Sequence, residues 1–241
     1  MASSSHAVKD SFKLLRGAAL LNLAAIALGT ILNTFLLLKF AELLGLPPFT
    51  LSARPYEIRY TPMQIRQIAF YFMAAITPPL ILSCAATLIR LIPSAERFCS
   101  WDISFCRSKD LMKPCFYLFY LLLFPLLALF AAAFSYTEAI SGFLMFLALI
   151  LGLFAAILFI IAQVGFIMFL LKLKERFPQF EVVVLYILGF ILPFATIPFE
   201  VIGHFFRHFT IILSFIGGIL FTAFWLLIYL KSRRLLMQAL A

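Results

Sequence analysis

The sequence predicts an all-α polytopic membrane protein with six transmembrane helices and both termini on the cytoplasmic side. Three observations predict it. The 241 residues are 65% hydrophobic and only 12% charged, whereas an ordinary soluble domain is about 45–50% apolar and about 25% charged. The apolar residues are gathered into six continuous runs rather than spread evenly. The basic residues crowd into alternate gaps between those runs.

Each run is long enough to cross a bilayer, which takes roughly 20 apolar residues at 1.5 Å rise per residue. The spans fall at about 17–40, 67–89, 115–134, 143–171, 182–203 and 209–230. Backbone polar groups cannot stay unpaired in lipid, so each run must be a helix. A β-barrel would need alternating segments of about ten residues, and these runs do not alternate. The first span has no small-residue cleavage site before Lys39 and reads as a retained helix rather than a signal peptide. The fourth is the longest, so it tilts or projects from the bilayer. The second holds Pro78-Pro79, the third Pro125, the fifth Pro193 and Pro198, and the sixth Gly217-Gly218. No linker or low-complexity run divides the chain, so residues 1–241 read as a single helical domain.

Charge sets the orientation. Lys and Arg number fourteen in the N-terminal tail, the second and fourth loops and the C-terminal tail, against five around the first, third and fifth loops. The positive-inside rule places the richer side in the cytoplasm. The formal charge of +9 is then explained by topology and by contact with anionic lipid, not by nucleic-acid binding. Four cysteines make no disulfide framework: Cys99, Cys106 and Cys115 lie on the side where thiols stay reduced, and no pair has zinc-ligand spacing.

In the second loop, Phe98, Trp101 and Phe105 recur at helical spacing among Arg97, Arg107 and Lys109. That pattern predicts an amphipathic helix in the headgroup layer with Trp101 as its anchor. In the first loop, residues 56–60 alternate apolar and charged and suit a short strand near Arg54, Glu57 and Arg59.

Polar residues inside the spans are few. Asn22 and Asn33 lie on the first, Thr77 on the second, Gln163 on the fourth and Thr196 on the fifth. They are either interhelical hydrogen-bonding groups or the lining of a substrate path. If the two three-span halves are inverted repeats, the proline-bearing second and fifth helices would correspond and would frame that path. No Asp, Glu, Lys or Arg lies near a span centre, which weighs against proton-coupled pumps, voltage sensors and charged-substrate channels. Glu200, His204 and His208 stand at i, i+4 and i+8, with ligand chemistry suited to zinc, copper or iron, and Glu138 is on the same side. Interface packing is the competing reading of that trio. No HExxH, phosphate loop or nucleophile motif is present, and the sequence leaves any cofactor unknown. Two stripes of small residues, Ala148, Gly152 and Ala156, and Thr210, Ser214 and Gly218, have the spacing that lets helices approach closely.

Two segments, Ser11-Phe12-Lys13-Leu14-Leu15-Arg16-Gly17 and Leu173-Lys174-Glu175-Arg176-Phe177, resemble uncharacterised archaeal families of multi-span membrane proteins. The resemblance covers under a tenth of the chain. It implies a polytopic helical fold and an archaeal source, and carries no activity or site residues.

The expectation is a non-catalytic accessory or scaffold subunit of a membrane complex, surrounded by the lipid bilayer and partnered by other subunits or by its own copies. The alternatives are a transporter or channel for a neutral or apolar solute, and a metal-dependent membrane enzyme.

Overall fold

Helices extend well beyond the apolar runs. The structure is a computed structural model that describes residues 2–43, 62–133, 138–195 and 207–238. Among these residues it is all-helical, without strands. Helix α1 is Ala2–Leu43, α2 is Pro62–Ala85, α3 is Ile92–Trp101, α4 is Cys106–Ala133, α5 is Glu138–Arg176, α6 is Val183–Ala195 and α7 is Arg207–Gln238. A π-helical turn, Ala86–Leu91, joins α2 to α3, and a 3-10 turn, Ile103–Phe105, joins α3 to α4. Hydropathy marks only the apolar part of a helix, so the charged ends of α1 and α4 are continuous with their spans.

Five helical stretches are long and apolar enough to cross a membrane: His6–Leu36, Arg66–Trp101, Ile103–Ala133, Ile140–Arg176 and Phe215–Met237. Their exposed side chains are large and apolar, as lipid-facing surfaces require; Phe143, Leu149, Phe154 and Ile160 on α5 are each more than half exposed. Helix α6 has 13 residues, about 20 Å of rise, which is short of the roughly 30 Å hydrocarbon core. The rest of the fifth span, 196–203, lies outside the described residues, as does the strand read over 56–60.

The two prolines of the second span do not break it. Helix α2 runs through Pro78-Pro79, and the Thr77 hydroxyl donates to the Met73 carbonyl at 2.7 Å. The irregular turn comes later, at Ala86–Leu91, where the Ile92 N–H donates to the Thr87 carbonyl five residues back. Pro93 lies just beyond. Its missing N–H leaves the Ile89 carbonyl without the usual helical donor, and a wide turn accommodates that loss.

The described chain forms two compact units. The first comprises Met1–Leu23, Ala85–Phe116 and Ile160–Ala241; the second comprises Ala24–Cys84 and Tyr117–Phe159.

The first unit is filled by aromatic rings. Phe98, Phe105, Phe169, Phe180 and Phe224 are fully buried, and Phe12 and Phe166 nearly so. Phe12 of α1 meets Phe98 at 5.1 Å and Phe177 at 5.0 Å, both edge-on. Phe98 stacks on Phe105 at 5.2 Å. A second group joins Phe166, Tyr186, Phe224 and Trp225, with centroids 4.8–6.1 Å apart. These are the separations at which ring pairs attract beyond their area burial. The headgroup-helix reading of the second loop is therefore corrected. Phe98 and Phe105 face protein, because Phe12, Phe169 and Phe177 supply the apolar partners that lipid was expected to supply.

The second unit buries mostly small side chains, Ala25, Ala75, Ala133, Ala148 and Ala155, with Leu36 and Tyr120 among them. An added Cβ on Gly29 would touch the Pro79 ring at 3.5 Å, so α1 and α2 pack closely there.

Candidate functional site

Two features of the structure bear on function: a polar corner in the first unit and an apolar groove in the second.

The corner forms at Asp102, where the chain leaves helical geometry with φ −141° and ψ 119°. Its carboxylate accepts the Ser104 N–H at 2.9 Å, which starts the 3-10 turn, and pairs with Arg176 of α5 at 2.5 Å. The Ser104 N–H, and then Arg176, hold the Asp102 carboxyl below its ordinary value. The bend brings the Cα atoms of Cys99 and Cys106 to 4.6 Å, and the two are joined by a disulfide. This overturns the expectation of free thiols. On a straight helix, residues seven apart stand about 10 Å apart, beyond the roughly 7 Å that a bridge can span. Cys84 and Cys115 are free.

Charge on the first unit is unbalanced. Its six described carboxylates are all paired: Asp10 with Lys13 and Arg97, Glu96 with Lys113, Asp102 with Arg176, Asp110 with Lys109, Glu175 with Lys172 and Glu181 with Lys174. Of its fourteen Lys and Arg with described side chains, seven are used in this way. Lys9, Arg16, Arg90 and Arg107, and on α7 Lys231, Arg233 and Arg234, are left without a carboxylate in ion-pair reach among the described residues.

The groove lies between α2, α4 and α5, within the second unit. It holds about 450 Å³ and is lined by Phe72, Leu126, Leu127, Phe130, Met145, Ala148, Leu149, Gly152 and Leu153. Every lining side chain is apolar, so it offers dispersion and area burial but no orienting hydrogen bond. Of the small-residue stripe read on this helix, Ala148 and Gly152 line the groove, while Ala156 is exposed and Ala155 takes the buried position.

The polar residues read as a substrate path are divided. In the first unit, Asn22 is buried and donates to the Ala18 carbonyl at 3.0 Å. Gln163, also there, is buried and accepts the Tyr186 hydroxyl of α6. In the second unit, Thr77 bonds within its own helix, and Asn33 is exposed. Thr196 lies outside the described residues.

Glu200 and His204 of the metal trio also lie outside the described residues. His208 falls in the first turn of α7 and Glu138 opens α5, but their side chains are not among those described. Among the described residues, no group of three His, Cys, Asp or Glu is placed to hold a metal ion.

Sequence reasoning missed the partner of Gln163, which is 23 residues away, and the two closest helix approaches. An added Cβ on Gly189 of α6 would lie 2.7 Å from the Phe221 backbone nitrogen of α7. One on Gly165 would lie 3.0 Å from the Met112 backbone nitrogen. Gly218, singled out for close packing, has open space where a side chain would be.

No protein family, curated protein or solved structure matches this chain.

Proposed function

We propose that the chain is a non-catalytic component of a membrane complex, spanning the cell membrane six times with both termini in the cytoplasm. The observation that carries this reading is the aromatic interior of the first unit. Rings fill the positions where a polar pathway would need space; the buried Asn22 donates within its own helix to Ala18, and the buried Gln163 accepts from Tyr186 of α6. Such an interior suits a rigid supporting body better than a conduit.

Purification in mild detergent tests the role. A second polypeptide retained at fixed stoichiometry, or a defined homo-oligomer, is expected. A solitary monomer would refute it. The orientation is tested with Arg234→Cys in a Cys84→Ser/Cys115→Ser background. An impermeant maleimide should label inverted vesicles and spare intact cells. Labelling in intact cells would reverse the assignment.

A second reading, passage or storage of an apolar solute, draws on the groove of the second unit. If it holds, Gly152→Phe, which fills the groove, abolishes uptake of an apolar fluorescent probe into proteoliposomes. Equal uptake by both forms would end it.

A further inference from the structure

We propose that Arg16 and Arg90 form a binding site for the phosphate of an anionic lipid headgroup, at the ends of the first two apolar runs. Arg16 is the last residue before the first run, and Arg90 is the first after the second. The fold brings these two boundaries together. A Cβ added to Gly17 would lie 3.3 Å from the Arg90 Cδ and 3.5 Å from its Nε. The Arg90 side chain therefore lies across α1 at Gly17, next in sequence to Arg16, and fits there because Gly17 has no side chain.

The placement is built into the backbone. Arg90 sits in the π-helical turn Ala86–Leu91. A turn of this kind holds one extra residue, which rotates the helix beyond it by about 100° relative to α-helical register. Such turns recur at functional sites.

Neither arginine is neutralised within the protein. The carboxylate nearest Arg16 in sequence, Asp10, is held by Lys13 at 3.3 Å and Arg97 at 2.8 Å. The other five described carboxylates of the unit are paired elsewhere. Two guanidinium-bearing residues at one membrane boundary with no internal counterion call for an external anion. Phosphate matches the guanidinium fork bidentately, and anionic lipid supplies phosphate at that depth. A soluble phosphate shares the chemistry, and the experiment separates the two sources.

The purified full-length protein in detergent is titrated with phosphatidylglycerol, phosphatidylcholine or inorganic phosphate, and bound molecules are counted by native mass spectrometry. Saturable binding of phosphatidylglycerol is expected, tighter than phosphatidylcholine by about tenfold or more. Arg90→Gln should weaken it by about tenfold, and Arg90→Lys should restore only part, since an ammonium keeps the charge but not the fork. Gly17→Leu, which preserves every charge but displaces Arg90, should weaken it to a similar extent. Arg107→Gln removes an equally unpaired charge from the same unit. It should cost no more than the roughly fivefold worth of one surface charge. The proposal is overturned if Arg107→Gln and Arg90→Gln cost the same, because the attraction is then diffuse. It is also overturned if phosphatidylcholine binds as tightly, or if equimolar inorganic phosphate displaces the lipid. Should Gly17→Leu fail to fold, the Arg90 and Arg107 variants decide the matter without it.

Discussion

Gly189→Ala is the substitution that most directly tests the packing of α6 on α7. The new Cβ would lie 2.7 Å from the Phe221 nitrogen, 3.0 Å from its Cα and 3.2 Å from the Leu220 carbonyl carbon. All three are backbone atoms, so no side chain can swing away. Carbon atoms rest about 3.5–4.0 Å apart, and the two helices must separate by roughly 0.8 Å. A gap of that size forfeits a quarter to a half of each dispersion contact across the seam. The seam includes Tyr186 against Phe224 at 4.8 Å and Tyr186 against Phe221 at 6.1 Å. Overpacking alone costs about 1–3 kcal/mol, and loosening two ring pairs adds roughly 0.5 kcal/mol. Replacing a helical glycine by alanine returns about 0.5–1 kcal/mol. The net loss is about 2 kcal/mol, or roughly 4–8 °C in Tm for a chain of this length. Trp225 packs against Phe221 and Phe224, so its fluorescence during thermal unfolding in detergent reports the seam. Gly218→Ala is the control on the same pair of helices. It meets nothing within 4 Å and should be neutral or slightly stabilising. Equal melting temperatures for the two variants would refute the close approach at Gly189.

Alkylation of the denatured protein should add two labels before reduction, at Cys84 and Cys115, and four after it; four before reduction would exclude the Cys99–Cys106 bridge. The Asp102 carboxyl is held below its ordinary value, so its contribution is present above about pH 5 and is lost as pH falls through the lowered value. The protection factor over residues 99–106, taken relative to the intrinsic exchange rate at each pH, should therefore fall on acidification in the wild type and change less in Asp102→Asn. Tyr186→Phe and Gln163→Leu each strand a buried partner and should cost about 1–3 kcal/mol. The double variant, measured by thermal melting, should cost less than the two singles added together, and full additivity would deny the bond.

The membrane class was legible because apolar runs of about twenty residues have no other stable home. Helix ends were not legible, since Lys9, Lys13 and Arg107 are good helix formers and hydropathy does not count them as span. The spacing of Phe98, Trp101 and Phe105 gave an apolar face, but an amphipathic pattern does not say whether lipid or protein covers it. Phe12, Phe169 and Phe177 cover it, and they come from distant parts of the chain. The bend at Asp102 carries no Gly or Pro to announce it, and the disulfide depends on that bend. Gln163 stood out as a polar residue in an apolar run, yet its partner lies on another helix. A small-residue stripe is recognised by its repeat, and Gly165 and Gly189 belong to none. One glycine is enough where a neighbouring backbone comes within 3 Å. The prolines pointed to an irregularity in the second span, but Pro78-Pro79 stay helical and the wide turn precedes Pro93.

Two properties of the first unit bear on the side it faces, and they pull apart. Fourteen described Lys and Arg against six described carboxylates favour the cytoplasm, because the Lys and Arg bias of loops sets orientation during insertion. The Cys99–Cys106 bridge favours an oxidising compartment. The two constraints differ in kind. Charge bias acts on the unfolded segments as they insert, before any bend at Asp102 exists to bring the sulfurs together. The bridge forms only afterwards, on whichever side the unit has already reached. The proposed orientation therefore rests on the charges, and the bridge alone does not set it. Labelling of Arg234→Cys from outside intact cells would invert this assignment: the bridge would then lie in oxidising surroundings, and the charge asymmetry would need another cause.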